Sequence, residues 1–347
     1  MRARTRPALT RLRPRALALA LVALLAALVF ALVADSGGLG WQRVLAEIVA
    51  QLTGGTSPLS EREAAIVWEL RLPRVLLAGL VGAALAGAGA AFQGVFRNPL
   101  ADPYLLGAAA GAGMAATVVV VFAPAVTGWL IGPLPLAAFA GALGGVGLSW
   151  LLGRSAGGSG TATLLLAGVA VTAFLTAIQT FVQQLNTDTI KQVYTWTLGG
   201  LNVTGWHDVW IALPYIALAA IVLCACARLL DVLTLGDAEA ASLGIRPGLV
   251  RLVLLAAASL ATAAAVAVSG LIGFVGIVVP HIVRLLAGAS YRVIMPLALI
   301  GGAVFLILAD FVARTVLPGE LPLGVVTAFA GAPFFAVVLR TNKERAA

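Results

Sequence analysis

The sequence predicts an all-α polytopic membrane protein with about ten transmembrane helices. Three observations carry that prediction. Of the 347 residues, 61% are hydrophobic and 10% charged, with a mean hydropathy of +1.05, whereas a soluble domain is about 25% charged. The apolar residues fall into ten runs, most of them near the roughly 20 residues that cross a bilayer. Basic side chains collect between alternate runs, as they do when charge sets orientation. A soluble enzyme and a disordered chain are both excluded, because no aqueous core of this length hides so much apolar surface.

The first run, 16–34, follows six arginines (Arg2, Arg4, Arg6, Arg11, Arg13, Arg15). At about 19 residues it is longer than the 7–15 of a signal-peptide apolar region, so it reads as a retained span with a cytoplasmic N-terminus. The remaining runs lie at about 74–96, 104–123, 134–152, 162–186, 208–230, 249–269, 272–287, 293–312 and 322–339. The second is rich in small residues (Gly79, Gly82, Ala86, Gly89 among them), which let a neighbouring backbone approach closely. The eighth, GLIGFVGIVVPHIVRLL, is short and interrupted by Gly and Pro. Spans tolerate such breaks where neighbouring helices satisfy the backbone.

With both termini cytoplasmic, sixteen of the 22 Lys and Arg fall inside, including Arg97, Arg154, Arg228, Arg246, Arg251 and Arg284. Eight of the fourteen acids fall outside. A net charge of +8 and a pI near 10.5 would mark nucleic-acid binding in a soluble protein; here orientation accounts for the charge, and no nucleic-acid partner is expected. A short echo, Arg74-Val-Leu-Leu-Ala against Arg251-Leu-Val-Leu-Leu-Ala, opens the second and seventh runs. These run in opposite directions, as inverted repeats do.

Enzymatic chemistry has little to stand on. Lys191 and Lys343 are the only lysines, and neither completes a phosphate-binding G-x-x-x-x-G-K-[ST] loop. His207 and His281 are the only histidines and form no metal-binding pair. Cys224 and Cys226 lie within an apolar run and read as small apolar side chains. No metal or cofactor is expected. An ion-coupled transporter would carry ionisable groups near mid-membrane, yet Asp310, towards the outer end of its run, is the only acid inside one, Asp208 standing at the edge of another. The energy for moving a solute is therefore expected to come from another polypeptide.

Four stretches are more particular. Arg71-Leu72-Pro73-Arg74 sets two arginines around a proline suited to a helix start. Arg97-Asn98-Pro99-Leu100-Ala101-Asp102-Pro103 carries two prolines four apart, which force a non-helical break. Leu235-Gly236-Asp237-Ala238-Glu239-Ala240-Ala241-Ser242-Leu243-Gly244 is a helix-forming run between glycines, with acids suited to its first turn. The last covers Gly273-Phe274-Val275-Gly276, Pro280-His281-Ile282-Val283-Arg284, Asp310, Arg314 and Glu320-Leu321-Pro322-Leu323-Gly324. Lone polar groups of that kind brace a helix bundle more often than they meet a solute.

Together, from about Arg71 to Arg340, these stretches resemble the FecCD-type permeases of ATP-binding-cassette (ABC) importers for ferric siderophores, haem and cobalamin. The resemblance implies a type II ABC importer permease fold in one domain, 1–347, with a family core at 71–340 and a cytoplasmic coupling loop at 231–247. It implies a multi-pass protein of the bacterial cytoplasmic membrane, working as a homodimer with two cytoplasmic ATPases that use the ATP. A periplasmic or lipid-anchored binding protein would deliver the cargo, a ferric siderophore first, haem or cobalamin otherwise. Carried over residue by residue, Arg71, Arg74 and Arg314 meet glutamates of the binding protein. Asn98 and Leu100 belong to a cytoplasmic gate, with Thr161 its second polar element where Gly160, Thr161 and Ala162 stand. Leu235, Gly236, Asp237, Glu239, Ala240, Leu243 and Gly244 form the helix that couples to the ATPase. The rivals, a secondary transporter acting alone and a membrane-embedded enzyme, leave that helix unexplained or need site chemistry that the sequence lacks.

Overall fold

A computed structural model describes residues 12–34, 39–122, 132–156, 161–201, 205–317 and 319–346, and the regular structure among them is entirely helical. A helix closes its backbone hydrogen bonds within itself, which lipid demands. The chain opens with α1 (Pro14–Ala34) and α2 (Trp41–Thr53). Next, α3 (Glu61–Ala65) is started by a capping box in which Ser60 and Glu63 satisfy each other's backbone N–H. It continues through a π turn, Ile66–Arg71, into α4 (Leu72–Val95).

Pro73 explains that turn. It has no N–H to donate and its ring crowds the carbonyl four residues back, so the helix widens just before it. Leu72 N–H then bonds Val67, and the freed Trp68 carbonyl accepts 3.1 Å from Trp206 Nε1.

The order continues with α5 (Ala108–Phe122), α6 (Pro133–Ser155), α7 (Thr161–Leu185), α8 (Ile190–Thr197) and α9 (His207–Ala225). After these come α10 (Ala227–Leu233), α11 (Asp237–Ser242), α12 (Pro247–Ser269), α13 (Val275–Ala287), α14 (Tyr291–Thr315) and α15 (Leu323–Ala346). Each of the ten expected runs contains a helix, with shifted limits: the run at 208–230 breaks at Cys226, and helix occupies only 275–287 of the eighth. Among the described residues seven helices are long and apolar enough to cross a membrane. The helices α5, α13 and the Leu323–Val337 part of α15 are apolar but shorter. The expectation of about ten full spans thus resolves into seven long helices and three short ones. Arg2, Arg4, Arg6, Arg11 and Gly160 lie outside the described residues.

At the centre stands α4, with α14, α12, α13 and α9 packed around it. A second group, α5 with α6 and α7, joins through α6 against α12. Small residues make the central contact possible. A Cβ added to Gly82 would lie 2.1 Å from the Gly302 carbonyl oxygen, and one on Gly302 would lie 2.2 Å from that of Gly82.

The two short central helices start inside the bundle. After α4 the chain reverses through Asn98–Asp102 and a 3₁₀ turn, Pro103–Leu106, whose Pro103 lies against Gly276. Gly276 in turn touches Leu85, midway along α4. From there α5 returns towards the end of the bundle where α4 begins. Gly270–Phe274 leads inward from that end, and α13 continues to the other. The two irregular segments meet at Tyr104, whose hydroxyl donates to the Ile272 carbonyl (3.1 Å) and accepts from Ile272 N–H (3.3 Å).

The glycine contact predicts that Gly82→Val lowers the melting temperature of the detergent-purified protein, overpacking costing about 1–3 kcal/mol. Gly144→Ala, whose Cβ meets nothing within 4 Å, leaves it unchanged or raised. Equal melting of the two variants would contradict the close contact.

Candidate functional site

Three groups of residues singled out in the sequence occupy the two ends of α4. At its start, Arg74 chelates Glu320 with two hydrogen bonds of 2.9 Å and also donates to Asp310 Oδ1 at 3.1 and 3.2 Å. Arg314, one turn beyond Asp310 on α14, donates to Asp310 Oδ2 at 3.0 Å. Asp310 is 1% exposed, so one buried carboxylate serves two guanidinium groups. The adjacent Arg74 holds the Glu320 carboxyl below the usual carboxylate range.

Arg74 and Arg314, expected to meet an acidic partner, thus have acidic partners within the chain, drawn from residues more than two hundred positions away in the case of Arg74. Arg71, half-buried, closes the π turn one helical turn before. Beside this network opens a cavity of ≈ 870 Å³ bordered by Asp188, Lys191, Asp208, Glu320 and Leu321.

The same end carries a small satellite that the sequence did not announce. The inner face of α2 packs Val44 onto Leu59 and Val67. Fully buried Glu47 accepts from Trp68 Nε1 (2.9 Å), Gln51 Nε2 (3.2 Å) and Ser57 Oγ. The Ser57 hydroxyl, then Trp68, hold its carboxyl below the ordinary value. Apolar residues at helical spacing in WQRVLAEIVAQLT (Trp41, Val44, Leu45, Ile48, Val49, Leu52) were the available signal.

At the opposite end lie the turn and Asn98. Asn98 Oδ1 accepts from Leu100 N–H at 3.0 Å, an Asx turn that fixes the reversal. Leu100 is at the surface, and Asp102 caps the 3₁₀ turn by accepting from Tyr104 N–H at 2.8 Å. Thr161 begins α7, which packs on the same 3₁₀ turn: a Cβ on Gly168 would lie 2.1 Å from the Leu105 carbonyl oxygen. Gly168 lies two turns into α7 from Thr161, and no hydrogen bond joins Thr161 to Asn98 among the described residues.

The third group stands beside the second. The short α11 follows Gly236 at φ 141° and ends in a Schellman motif, with Ile245 N–H bonding Ala240 and Gly244 N–H bonding Ala241. Ala240 is buried, whereas Leu235 and Leu243 are 64% and 63% exposed on either side. Apolar surface set around a short capped helix is chemistry suited to another chain. Among the described residues no cluster of three His, Cys, Asp or Glu is placed to hold a metal ion. His281 stacks edge-on to Phe334, with ring centres 5.8 Å apart. Arg284 bonds Gln93 and Tyr291, so it braces helices as lone polar groups do.

Long apolar helices, exposed apolar flanks and internally paired charges define a multi-pass membrane protein. The chain belongs to the FecCD transport family, which it matches over residues 21–341. It is 42% identical over 311 residues to the cobalamin import system permease protein of Halobacterium salinarum, covering 90% of this chain and 82% of that one. It is 38% identical over 298 residues to the Fe(3+) dicitrate transport system permease protein of Escherichia coli, covering 84% and 87%. A solved structure described as an inward-facing conformation of a metal-chelate type ABC transporter superposes with a TM-score of 0.80 at 27% identity, covering 95% of this chain and 100% of that one. The resemblance carried by the four sequence stretches is borne out at the level of the family.

Asp310→Asn keeps the shape and removes the charge that two buried arginines share. A loss of about 3–5 kcal/mol is expected, against less than about 1 kcal/mol for Glu320→Gln at the exposed carboxylate. Melting of the purified variants checks the order.

Proposed function

We propose that this chain is the permease of an ABC importer for a bulky metal chelate, a ferric siderophore in the first instance. The observation that carries the reading is α11, a short capped helix flanked by exposed Leu235 and Leu243. It has the form of a docking element for a cytoplasmic ATPase. Leu235, Gly236, Asp237, Glu239, Ala240, Leu243 and Gly244 make up that element, within a loop spanning 231–247.

In this reading residues 1–347 are one permease domain. Both termini and the α11 end face the cytoplasm, and the Arg74 end faces the binding protein. Two copies pair, two ATPases dock, and ATP is consumed on the partner, so the permease needs no cofactor. Closure of the ATPases pushes α11, and the Asn98–Leu100 turn with Thr161 opens or shuts the inner end. Arg71, on the turn before Arg74, stands at the same end for a glutamate of the binding protein. Arg74 and Arg314 shape that surface while held by Asp310. The exposed faces of α6 and α7 are apolar (Leu148, Leu151, Leu166, Val169, Phe174, Phe181), which suits passage of a cargo that must not adhere. Cobalamin is the second reading, favoured by the 42% identical cobalamin relative, with haem the third.

The test is uptake of radiolabelled ferric hydroxamate, haemin and cyanocobalamin by cells with and without this chain. Loss of the ferric chelate alone supports the first reading. Loss of haemin or cyanocobalamin alone keeps the importer and changes the cargo. Leu243→Asp is expected to abolish co-purification of the ATPase and uptake together; normal uptake by that variant would overturn the assignment of α11.

A further inference from the structure

Three chain segments distant in sequence meet on one carboxylate. Arg97 follows the last turn of α4 at φ 50°. Its Nε donates 2.9 Å to the Leu233 carbonyl at the end of α10, and its Nη2 donates to Asp237 Oδ1. From the other side Arg251, in the first turns of α12, donates from Nη2 to both Asp237 oxygens at 3.0 and 2.9 Å. The Arg251 side chain is 6% exposed and that of Asp237 51%.

The surroundings separate a fixed part from a movable one. Asp231, on α10, caps α14 by accepting from Tyr291 N–H (2.6 Å) and Ser290 Oγ (2.8 Å). This ties α10 to the bundle. After it comes Gly236, whose φ of 141° only glycine adopts easily. Then comes α11, with Ala240 its only buried residue. The directional tie between α11 and the rest is therefore the pair of ion pairs on Asp237. Arg97 is covalently next to Asn98, whose N–H bonds back to Gln93 at 3.1 Å.

The geometry points to Arg97 and Arg251 as positioning residues that, through Asp237, transmit movement of α11 to the Asn98–Leu100 turn. This rests on the importer reading above. Pushing α11 pulls directly on the residue beside the turn, while Arg251 keeps α11 on the rim of α12, whose Val250, Arg251 and Leu254 are buried. A contact that served folding alone has no need to end on the turn.

The test uses the permease co-purified with its ATPase subunits in proteoliposomes, with its substrate-binding protein added on the Arg74 side and ferric hydroxamate, haemin and cyanocobalamin as probes. Both uptake and ATP hydrolysis are measured. Arg97→Gln is expected to retain the ATPase subunits and their hydrolysis while chelate carried per ATP falls about fivefold, the scale of one half-exposed ion pair. Arg97→Lys restores most of it. Combining Arg97→Gln with Asp237→Asn is expected to lower the ratio no further than Asp237→Asn alone, because one interaction has been removed twice. An unchanged ratio in Arg97→Gln overturns the inference. So does a parallel loss of assembly, hydrolysis and uptake, which would mark Arg97 as a folding residue. Wild type that takes up none of the probes with ATP would overturn the importer reading itself, and the inference with it.

Discussion

Lipid offers no hydrogen bonds, so any backbone group that leaves helical register inside the bundle must find its partner in the protein. The packing around α4 follows from meeting that demand in two places. At the meeting of the two inner breaks, the Tyr104 hydroxyl takes the donor and the acceptor of Ile272. Close by, Gln93 Nε2 donates to the Gly276 and Ile277 carbonyls near the start of α13, and its Oε1 accepts from Arg284. The glycines of α4, α13 and α14 let these backbones come within reach of one another. Alanine at Gly89 would place a methyl group 2.0 Å from the Gly276 carbonyl oxygen.

The breaks also repeat in reversed direction. In the first, α4 opens with Arg74, crosses the bundle, breaks at Asn98–Gly107 and restarts inside as α5. In the second, α12 opens near Arg251, crosses the other way, breaks at Gly270–Phe274 and restarts inside as α13. Each opening arginine binds an acid at its own end, Asp310 or Asp237. Arrangements of this kind give a membrane protein two comparable faces around one centre. The faint echo between residues 74–78 and 251–256 stands at the openings of these two arms.

Much of this was legible because it is local. Apolar run length marks a helix whatever surrounds it, Pro99 and Pro103 mark a break, and Gly236 and Gly244 bracket a short helix. What escaped depends on distant partners. Nothing near Arg74 announces Glu320, 246 positions away, so an arginine at a helix start reads as a surface charge awaiting an outside partner. The short α5 and α13 were read as fuller spans because the apolar residues of their inner breaks, such as Leu105, Leu106 and Ile272, have the same composition as helix. The widened turn before Pro73 needed the Trp206 donor to be visible. The family stretches singled out α11 and the Asn98 turn, while the ion pairs joining them lie between elements that no local pattern connects.

Burial sets the different behaviour expected of the two charged clusters. Asp310 and Arg314 are almost wholly removed from solvent, so separating them would leave charges in a medium that solvates them poorly, at several kcal/mol. That cluster is a brace. Asp237 is half in water, where a lost ion pair is largely replaced by hydration and each contact contributes about 1 kcal/mol or less. Such a contact can break and re-form within one cycle of a partner's movement. Arg251 supplies the buried and therefore stationary side, Arg97 the exposed and yielding one. A hydrophobic contact there would be as strong but would not fix a direction, because apolar surfaces slide. Two guanidinium groups on one carboxylate hold α11 in a defined orientation while still letting it go, which is what a joint between a docking helix and a turn requires.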